Sequence, residues 1–257
     1  MNMNNQVAIV TGSTKGIGKA IAIKLAKRGI KVIVCGRSSE EGEAVASAIC
    51  SSGGSAQYMY LDLSSTDSLA AFTHQFKKQH NRLHILVNNA GVSGYMGPVV
   101  STPVDAIRQT FSVNVESIFT LCQELIPMMQ QQKYGRIVNI SSVAYRLTPA
   151  NSCTYNMSKA ALNAFTQTLA KEVGASGITV NAIAPGLVLT DRIQNERLPG
   201  MASKAGVTPN QMLEQLTKGT VTSRLTTEDD IAEATLFLAS EGAAAITGQI
   251  LDVSSGV

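Results

Sequence analysis

Val7-Ala8-Ile9-Val10-Thr11-Gly12-Ser13-Thr14-Lys15-Gly16-Ile17-Gly18 is the stretch that decides how this chain folds. Four apolar residues run into a glycine-spaced turn. Beyond it Ile17, Ile21 and Leu25 fall at i, i+4 and i+8, one face of a helix that Gly29 closes. A strand that turns this sharply into a helix offers the helix N-terminus to an anion. Glycines let the backbone turn tightly and approach a pyrophosphate, so Gly12, Thr14, Lys15, Gly16, Ile17 and Gly18 are candidate dinucleotide contacts. The spacing is G-x3-G-x-G rather than the common GxGxxG. Its place directly after the first strand carries more weight than the glycines themselves.

Outward from this unit the same alternation continues. Val32–Val34, Tyr58–Leu61, Ile85–Val87, Ile137–Ile140, Val180–Ile183 and Ile250–Val253 read as further strands. Most are unbroken apolar runs, as a parallel sheet covered on both faces requires. Glu40–Cys50, Thr66–Lys78, Pro103–Gln132, Ser152–Val173 and Asp229–Ala239 read as helices, with Pro127 kinking or breaking its helix late. The expected fold is α/β: a single doubly wound Rossmann-type domain, with a seven-stranded parallel sheet and helices on both faces, over residues 1–257. Asp191 to Arg224 breaks the rhythm with Pro199, Gly200, Gly206, Pro209 and Gly219. So long a strandless segment after a strand's carboxyl end is expected to cover a site as a lid.

Composition removes several function classes. Among 257 residues, 21 Lys+Arg face 18 Asp+Glu, for a formal charge of +3. That excess, with no Lys/Arg-rich block, predicts no nucleic-acid partner. Charged residues make up 15%, below the usual ~25%, which argues against disorder and mildly for surface covered in an oligomer. No window approaches the ~18 apolar residues of a spanning helix, so no membrane partner is expected. Met1–Gln6 is polar and leads straight into Val7, unlike a signal peptide. Cys35, Cys50, Cys122 and Cys153 lack CxxC spacing and are expected to be buried thiols in a reducing cytoplasm. His74, His80 and His84 make a poor metal site, and their expected state is solvated.

The second strand ends Val34-Cys35-Gly36-Arg37-Ser38. In a dinucleotide site an acid ~20 residues past the loop grips the ribose hydroxyls, whereas an arginine accommodates a 2′-phosphate. Gly36 stands in the acid's place, Arg37 and Ser38 follow, and Lys15 adds a second cation, so NADP(H) is favoured over NAD(H). Two alternatives stay open: Arg37 as a solvated loop cation, and Glu40 or Glu41 reaching back toward a ribose.

Tyr155-Asn156-Met157-Ser158-Lys159 places a phenol and an ammonium at i, i+4 on one helix face. An ammonium beside a phenol favours the phenolate, which suits general acid–base work on a carbonyl or alcohol. Ser142, after the Ile137–Ile140 strand, can hydrogen-bond a substrate oxygen as charge develops there. The YxxxK pair, Thr11–Gly18, Asn88-Asn89-Ala90-Gly91, Ser142 thirteen residues before Tyr155, and Pro185-Gly186 follow one order along nearly the whole chain. Together they resemble the short-chain dehydrogenase/reductase family.

The resemblance implies more than the residues alone do. Asn114 would join Ser142, Tyr155 and Lys159 as a fourth catalytic position, holding a water that links Lys159 to solvent; the plain alternative is an Asn bonded within its helix. Asp62, with Leu63 beside it, would contact adenine, unless Asp62 belongs to a helix cap. Asn89 and Gly91 would let the cofactor lie against the fourth strand's end. Pro185, Gly186, Val188 and Thr190 would touch the carboxamide side of the nicotinamide, and Tyr155 and Lys159 would also contact the cofactor. Relatives are usually tetramers or dimers, and the Pro103–Gln132 and Ser152–Val173 helices would pair across a two-fold axis.

The chain looks most like 3-oxoacyl-carrier-protein reductases and general ketone reductases. It departs from the pattern at Ser254–Gly256, where an acidic residue and paired glycines are common, and at Tyr145, where glycine is frequent. Of two basic positions near the entrance that would dock an acyl carrier protein, one holds Lys133 and the other Ser176, which leaves that partner open. The expected activity is NADP(H)-dependent reduction of a small-molecule ketone. The alternatives are an NAD-linked oxidation of a secondary alcohol, sugar or polyol, and a non-catalytic dinucleotide-binding protein.

Overall fold

A computed structural model of the chain describes residues 3, 5–191 and 193–257. Seven strands form one all-parallel sheet: β1 (Val7–Val10), β2 (Lys31–Gly36), β3 (Ser55–Tyr60), β4 (Ile85–Asn88), β5 (Gly135–Ile140), β6 (Ile178–Pro185) and β7 (Ile250–Val253). Their order is β3-β2-β1-β4-β5-β6-β7. Each parallel neighbour needs a crossover, and helices supply it. The crossovers are α1 (Gly16–Ala26), α2 (Ser39–Ser51), α3 (Thr66–Gln79), α4 (Val104–Phe111) with α5 (Ser117–Gln131), the short α6 (Ala144–Leu147) with α7 (Cys153–Val173), and α10 (Glu228–Leu238). Strand order reverses between β1 and β4, and in an open α/β sheet a ligand crevice lies there, at the strands' carboxyl ends.

Alternating strand residues supply two apolar layers. Ala8, Val10, Val32, Val34, Ile85 and Val87 pack under α1, α2 and α10. Ile9, Ile33, Leu86 and Ile137 pack on the other face under α3, α5 and α7. Complete burial of an Ile or Leu contributes about 1.5–3 kcal/mol, which makes each strand's register costly to slip. Among the described residues no helix is long and apolar enough to cross a membrane.

Several expectations need correction. The Pro103–Gln132 helix is divided: α4 and α5 are joined by a wider π-helical turn, Ser112–Glu116, that carries Asn114. Pro127 does not end its helix, since α5 runs on to Gln131. Pro127 and Gln123 are both exposed, so the carbonyl that loses its N–H partner lies on the solvent side, where the loss is tolerated. β3 starts at Ser55, three residues early, because an edge strand pairs through its backbone and needs no apolar run.

The histidines near β4 are not solvated. His80 stacks on Phe76 with ring centroids 4.8 Å apart, and His84 Nδ1 accepts the Val7 N–H at 3.0 Å. Burial pushes both imidazole pKa values down. Of the thiols, Cys35 and Cys122 are buried, Cys153 is half-buried and Cys50 is exposed, so the expected four buried thiols are two.

Between β6 and α10 stand α8 (Leu198–Ala205) and α9 (Pro209–Lys218), which share a small core of Leu198, Ala202 and Met212. Gly206, at φ +67°, closes α8, and Thr208 caps α9 reciprocally with Gln211. Within the same stretch, Arg192 lies outside the described residues.

Candidate functional site

The loop after β1 is stitched to both neighbouring strands. Thr11 N–H donates to Val87 O, and Ser13 N–H donates to Cys35 O, each at 3.0 Å. Ser13 Oγ donates to Val10 O (2.7 Å) and accepts the Cys35 N–H (3.0 Å). Thr11 Oγ1 accepts the N–H groups of Asn89 and Ala90, each at 3.0 Å, and Asn89 Nδ2 donates to Thr11 O (2.9 Å) and Gly12 O (3.1 Å). Asn89 thus braces the loop from the end of β4. Thr11 and Ser13 are not among the contacts the sequence predicts, because a small polar residue beside a glycine carries no distinguishing pattern.

Gly18 shows how close the packing is: a Cβ there would lie 2.3 Å from Gly12 O and 2.5 Å from Asn89 Nδ2. Gly12 itself sits at φ +62°. No side chain caps the α1 N-terminus at Lys15, which leaves a cradle of backbone N–H groups that fits a pyrophosphate. Beside it lies a cleft of about 510 Å³, whose lining includes Thr14, Lys15, Arg37, Asp62, Leu63 and Gly91.

At the β2 end of the cleft, a Cβ on Gly36 would lie 2.6 Å from Thr14 Cγ2. Arg37 and Lys15 are exposed on either side. Ser38 caps α2 by accepting the Glu41 N–H at 3.3 Å, and the Glu41 carboxylate crosses to Thr14 Oγ1 and Lys15 Nζ, both at 3.2 Å. Asp62 Oδ1 accepts Ser64 N–H (2.9 Å) and Ser64 Oγ–H (2.7 Å). The Ser64 bonds, and secondarily Arg37, hold the Asp62 carboxyl below its ordinary range. The cap of α3 is Ser65, not Asp62.

At the carboxyl ends of β5 and β6 the second half of the site assembles. Val143 N–H donates to Pro185 O (3.0 Å) and Gly186 N–H to Val253 O (3.1 Å), so these strand ends hold one another. Ser142 is half-buried, and its Oγ accepts the Ala144 N–H at 3.2 Å. Tyr155 and Lys159 share one face of α7, with Lys159 Nζ 5.7 Å from the Tyr155 ring centroid. Nζ donates to Ile140 O at 2.8 Å, and burial pushes the Lys159 pKa down to about 8. Val188 is buried and bridges to Thr226, while Thr190 stands over Gly16.

Asn114 is fully buried, and its side chain bonds both the chain after β4 and α7. Nδ2 donates to Val92 O (2.9 Å) and Ser158 Oγ (3.0 Å), and Oδ1 accepts the Val92 N–H (2.8 Å). Its bonds leave the helix altogether, unlike those of an Asn satisfied within one. It clamps the chain after β4 to α7, next to Lys159: a Cβ on Gly91 would lie 3.1 Å from Asn114 Oδ1 and 3.6 Å from Lys159 Nζ. Gly91 joins the two halves of the site.

One pair of expected positions falls elsewhere. Lys133 and Ser176 precede β5 and β6, at the strands' amino ends. A six-residue strand is about 20 Å long, so within one chain they stand a strand's length from Ser142 and do not flank the entrance.

A family profile described as Enoyl-(Acyl carrier protein) reductase matches residues 12–257. The chain belongs to the short-chain dehydrogenase/reductase family. It is 35% identical to the 3-oxoacyl-[acyl-carrier-protein] reductase FabG of Pseudomonas aeruginosa, over 100% of this chain and 99% of that one. Among solved structures it resembles a 3-oxoacyl (acyl-carrier-protein) reductase from Agrobacterium tumefaciens C58 with NADP bound. There the TM-score is 0.89 and identity 28%, over 100% of this chain and 95% of the other. It equally resembles a 7α-hydroxysteroid dehydrogenase complexed with NADH and 7-oxo glycochenodeoxycholic acid, with TM-score 0.89 and identity 35% over 99% and 95% of the two chains. As a member of this family the chain is an oxidoreductase acting between carbonyl and alcohol.

Proposed function

We propose that the protein is an NADP(H)-dependent reductase that converts a small-molecule ketone to a secondary alcohol, with Tyr155 as the general acid. The observation that carries the cofactor assignment is the end of β2. Thr14 Cγ2 fills the space any side chain at Gly36 would need, so no carboxylate grips the ribose from that position. Two cations, Lys15 and Arg37, stand where a 2′-phosphate would lie. The Agrobacterium structure with NADP bound agrees with this choice, and the NADH-bound hydroxysteroid dehydrogenase is the reason to test it.

When bound, the nicotinamide supplies the hydride to the carbonyl carbon. The protein's part is position and proton. Ser142 Oγ–H donates to the carbonyl oxygen as negative charge builds there. Tyr155 gives that oxygen its phenolic proton, and Lys159, buried beside the ring, stabilises the phenolate left behind. A lysine whose pKa lies near 8 can also pass on a proton near neutral pH, which lets Tyr155 be recharged. Asn114 acts by holding Val92 and Ser158 in register around Lys159. Gly12 to Gly18 and Asn89 would seat the pyrophosphate, Asp62 and Leu63 would wall the adenine, and Pro185, Gly186, Val188 and Thr190 would border the nicotinamide. We assign residues 191–224 the role of a lid, because α8 and α9 carry their own core and come after the carboxyl end of β6 in the chain.

The test is a titration with NADPH and NADH, followed by nicotinamide fluorescence. Wild type is expected to prefer NADPH, and Arg37→Asp to weaken NADPH about ten- to a hundred-fold with little change in NADH. Preference for NADH in the wild type would move the protein to the NAD-linked oxidative reading.

The same reading includes a homotetramer. Phe119 on α5 is 53% exposed and packs against Phe165 of α7, with ring centroids 5.8 Å apart, and Met157 of α7 is 45% exposed. Covering these residues by two-fold pairing of α5 and α7 would remove an apolar patch from water. Light scattering is expected to give four chain masses. Two masses would leave only the pairing of α5 and α7, and a concentration-independent single mass would end both.

A further inference from the structure

The cleft contains one charge that NADP(H) binding does not need. Glu41 is the third residue of α2, and its N–H donates to Ser38 Oγ. In an S-x-x-E turn the carboxylate commonly folds back on the backbone of the capping residue. Here it turns outward instead: Oε2 accepts from Thr14 Oγ1 and Oε1 from Lys15 Nζ, each at 3.2 Å. Glu41 lines the cleft together with Lys15 and Arg37. Among the described residues its neighbour Glu40 makes no ion pair, nor does Arg37.

We propose that Glu41 is a specificity-determining residue: an internal anion that holds Lys15 in the free protein and sets how far a ribose 2′-phosphate is preferred over a free ribose hydroxyl. The inference rests on the NADP(H) reading. A phosphate monoester brings between one and two negative charges. With Glu41 ionised, Lys15 is already partnered, and Asp62 in the same cleft draws on Arg37, so neither cation is wholly free for the phosphate. The incoming phosphate must take Lys15 from the carboxylate and then sit near it. An unphosphorylated ribose brings no charge and meets little of this opposition. The α2 N-terminus adds its partial positive charge on the same side, and Glu41 already draws on it.

Glu41→Gln removes the charge and keeps the length and an acceptor for Thr14. Glu40→Gln changes the net charge equally without touching Lys15. Each full-length variant is titrated calorimetrically with adenosine 2′,5′-bisphosphate and adenosine 5′-diphosphate, and fluorimetrically with NADPH and NADH. In Glu41→Gln the dissociation constants of the two 2′-phosphorylated ligands are expected to fall about five-fold, the scale of a well-placed exposed ion pair. Those of the other two should stay within about two-fold, with Glu40→Gln near wild type and the gain shrinking in high salt.

Unchanged binding of the bisphosphate would make Glu41 a surface ion pair and overturn the proposal. Weaker NADH and adenosine 5′-diphosphate would also overturn it, by showing that the carboxylate grips ribose hydroxyls. The underlying reading fails separately: wild type preferring NADH refutes it, yet tighter bisphosphate binding in Glu41→Gln would still support the role given to Glu41.

Discussion

Tyr155→Phe is expected to lower kcat by about 10³-fold, within the range general acid–base catalysis supplies, while the dissociation constant for NADPH stays near wild type. The substitution removes one oxygen and one proton and leaves the ring, which stands 5.7 Å from Lys159 Nζ on the same face of α7. The turn of α7 around it is also held through the backbone, where Ser158 Oγ donates to the Tyr155 carbonyl at 2.8 Å. Binding and chemistry should therefore separate cleanly. Single-turnover kinetics with bound NADPH reads the chemical step alone. Undiminished turnover would mean that another group protonates the product oxygen. Equal loss of NADPH binding would mean that the hydroxyl serves the cofactor more than the substrate.

The second large effect belongs to the loop. Gly18→Ala places a methyl 2.3 Å from Gly12 O and 2.5 Å from Asn89 Nδ2. Neither atom can retreat freely, because Asn89 Nδ2 donates to Gly12 O and to Thr11 O, and so ties β1 to β4. Overpacking against backbone costs about 3 kcal/mol. In a domain of this size that lowers Tm by about 10 °C. The displaced loop should also lose NADPH affinity, since the anion cradle is the part that moves. Gly174→Ala is the control, as its added methyl meets nothing within 4 Å and the residue has φ −57°. That variant should melt within about 2 °C of wild type. Thermal melting of both variants decides the matter: equal melting temperatures would contradict the close contact at Gly18.

These two residues show where the sequence is most readable. Gly18 lies in a strand–turn–helix unit whose signals are all local: an apolar strand, a glycine turn and an i, i+4 stripe. Tyr155 and Lys159 are one helical turn apart, so helix geometry alone brings them together. Central strands such as β1, β4 and β5 are buried on both faces and advertise themselves as apolar runs. Legibility fails where long-range contacts decide. The wide turn at Ser112–Glu116 accompanies bonds from Asn114 to Val92 and Ser158, 22 and 44 residues away in sequence. Ser38-Ser39-Glu40-Glu41 reads locally as a helix cap; that the carboxylate instead meets Lys15 depends on the loop between β1 and α1, 26 residues earlier. His84 looks like a solvated loop residue until the backbone of Val7 arrives beside it, 77 positions away. Lys133 and Ser176 could be placed only once the sheet showed which strand end each one precedes.

The central claim is that this site passes hydride from NADPH to a ketone and a proton from Tyr155 to its oxygen. Its most direct test is the loss of reduced-nicotinamide absorbance when purified protein meets NADPH and a ketone panel that includes a 3-oxoacyl thioester. Wild type and Tyr155→Phe are run side by side. The account predicts turnover of at least one ketone by wild type, faster with NADPH than with NADH, and near-complete loss of that turnover in Tyr155→Phe. Turnover that survives in Tyr155→Phe, or wild-type protein that binds neither NADPH nor NADH, would contradict it.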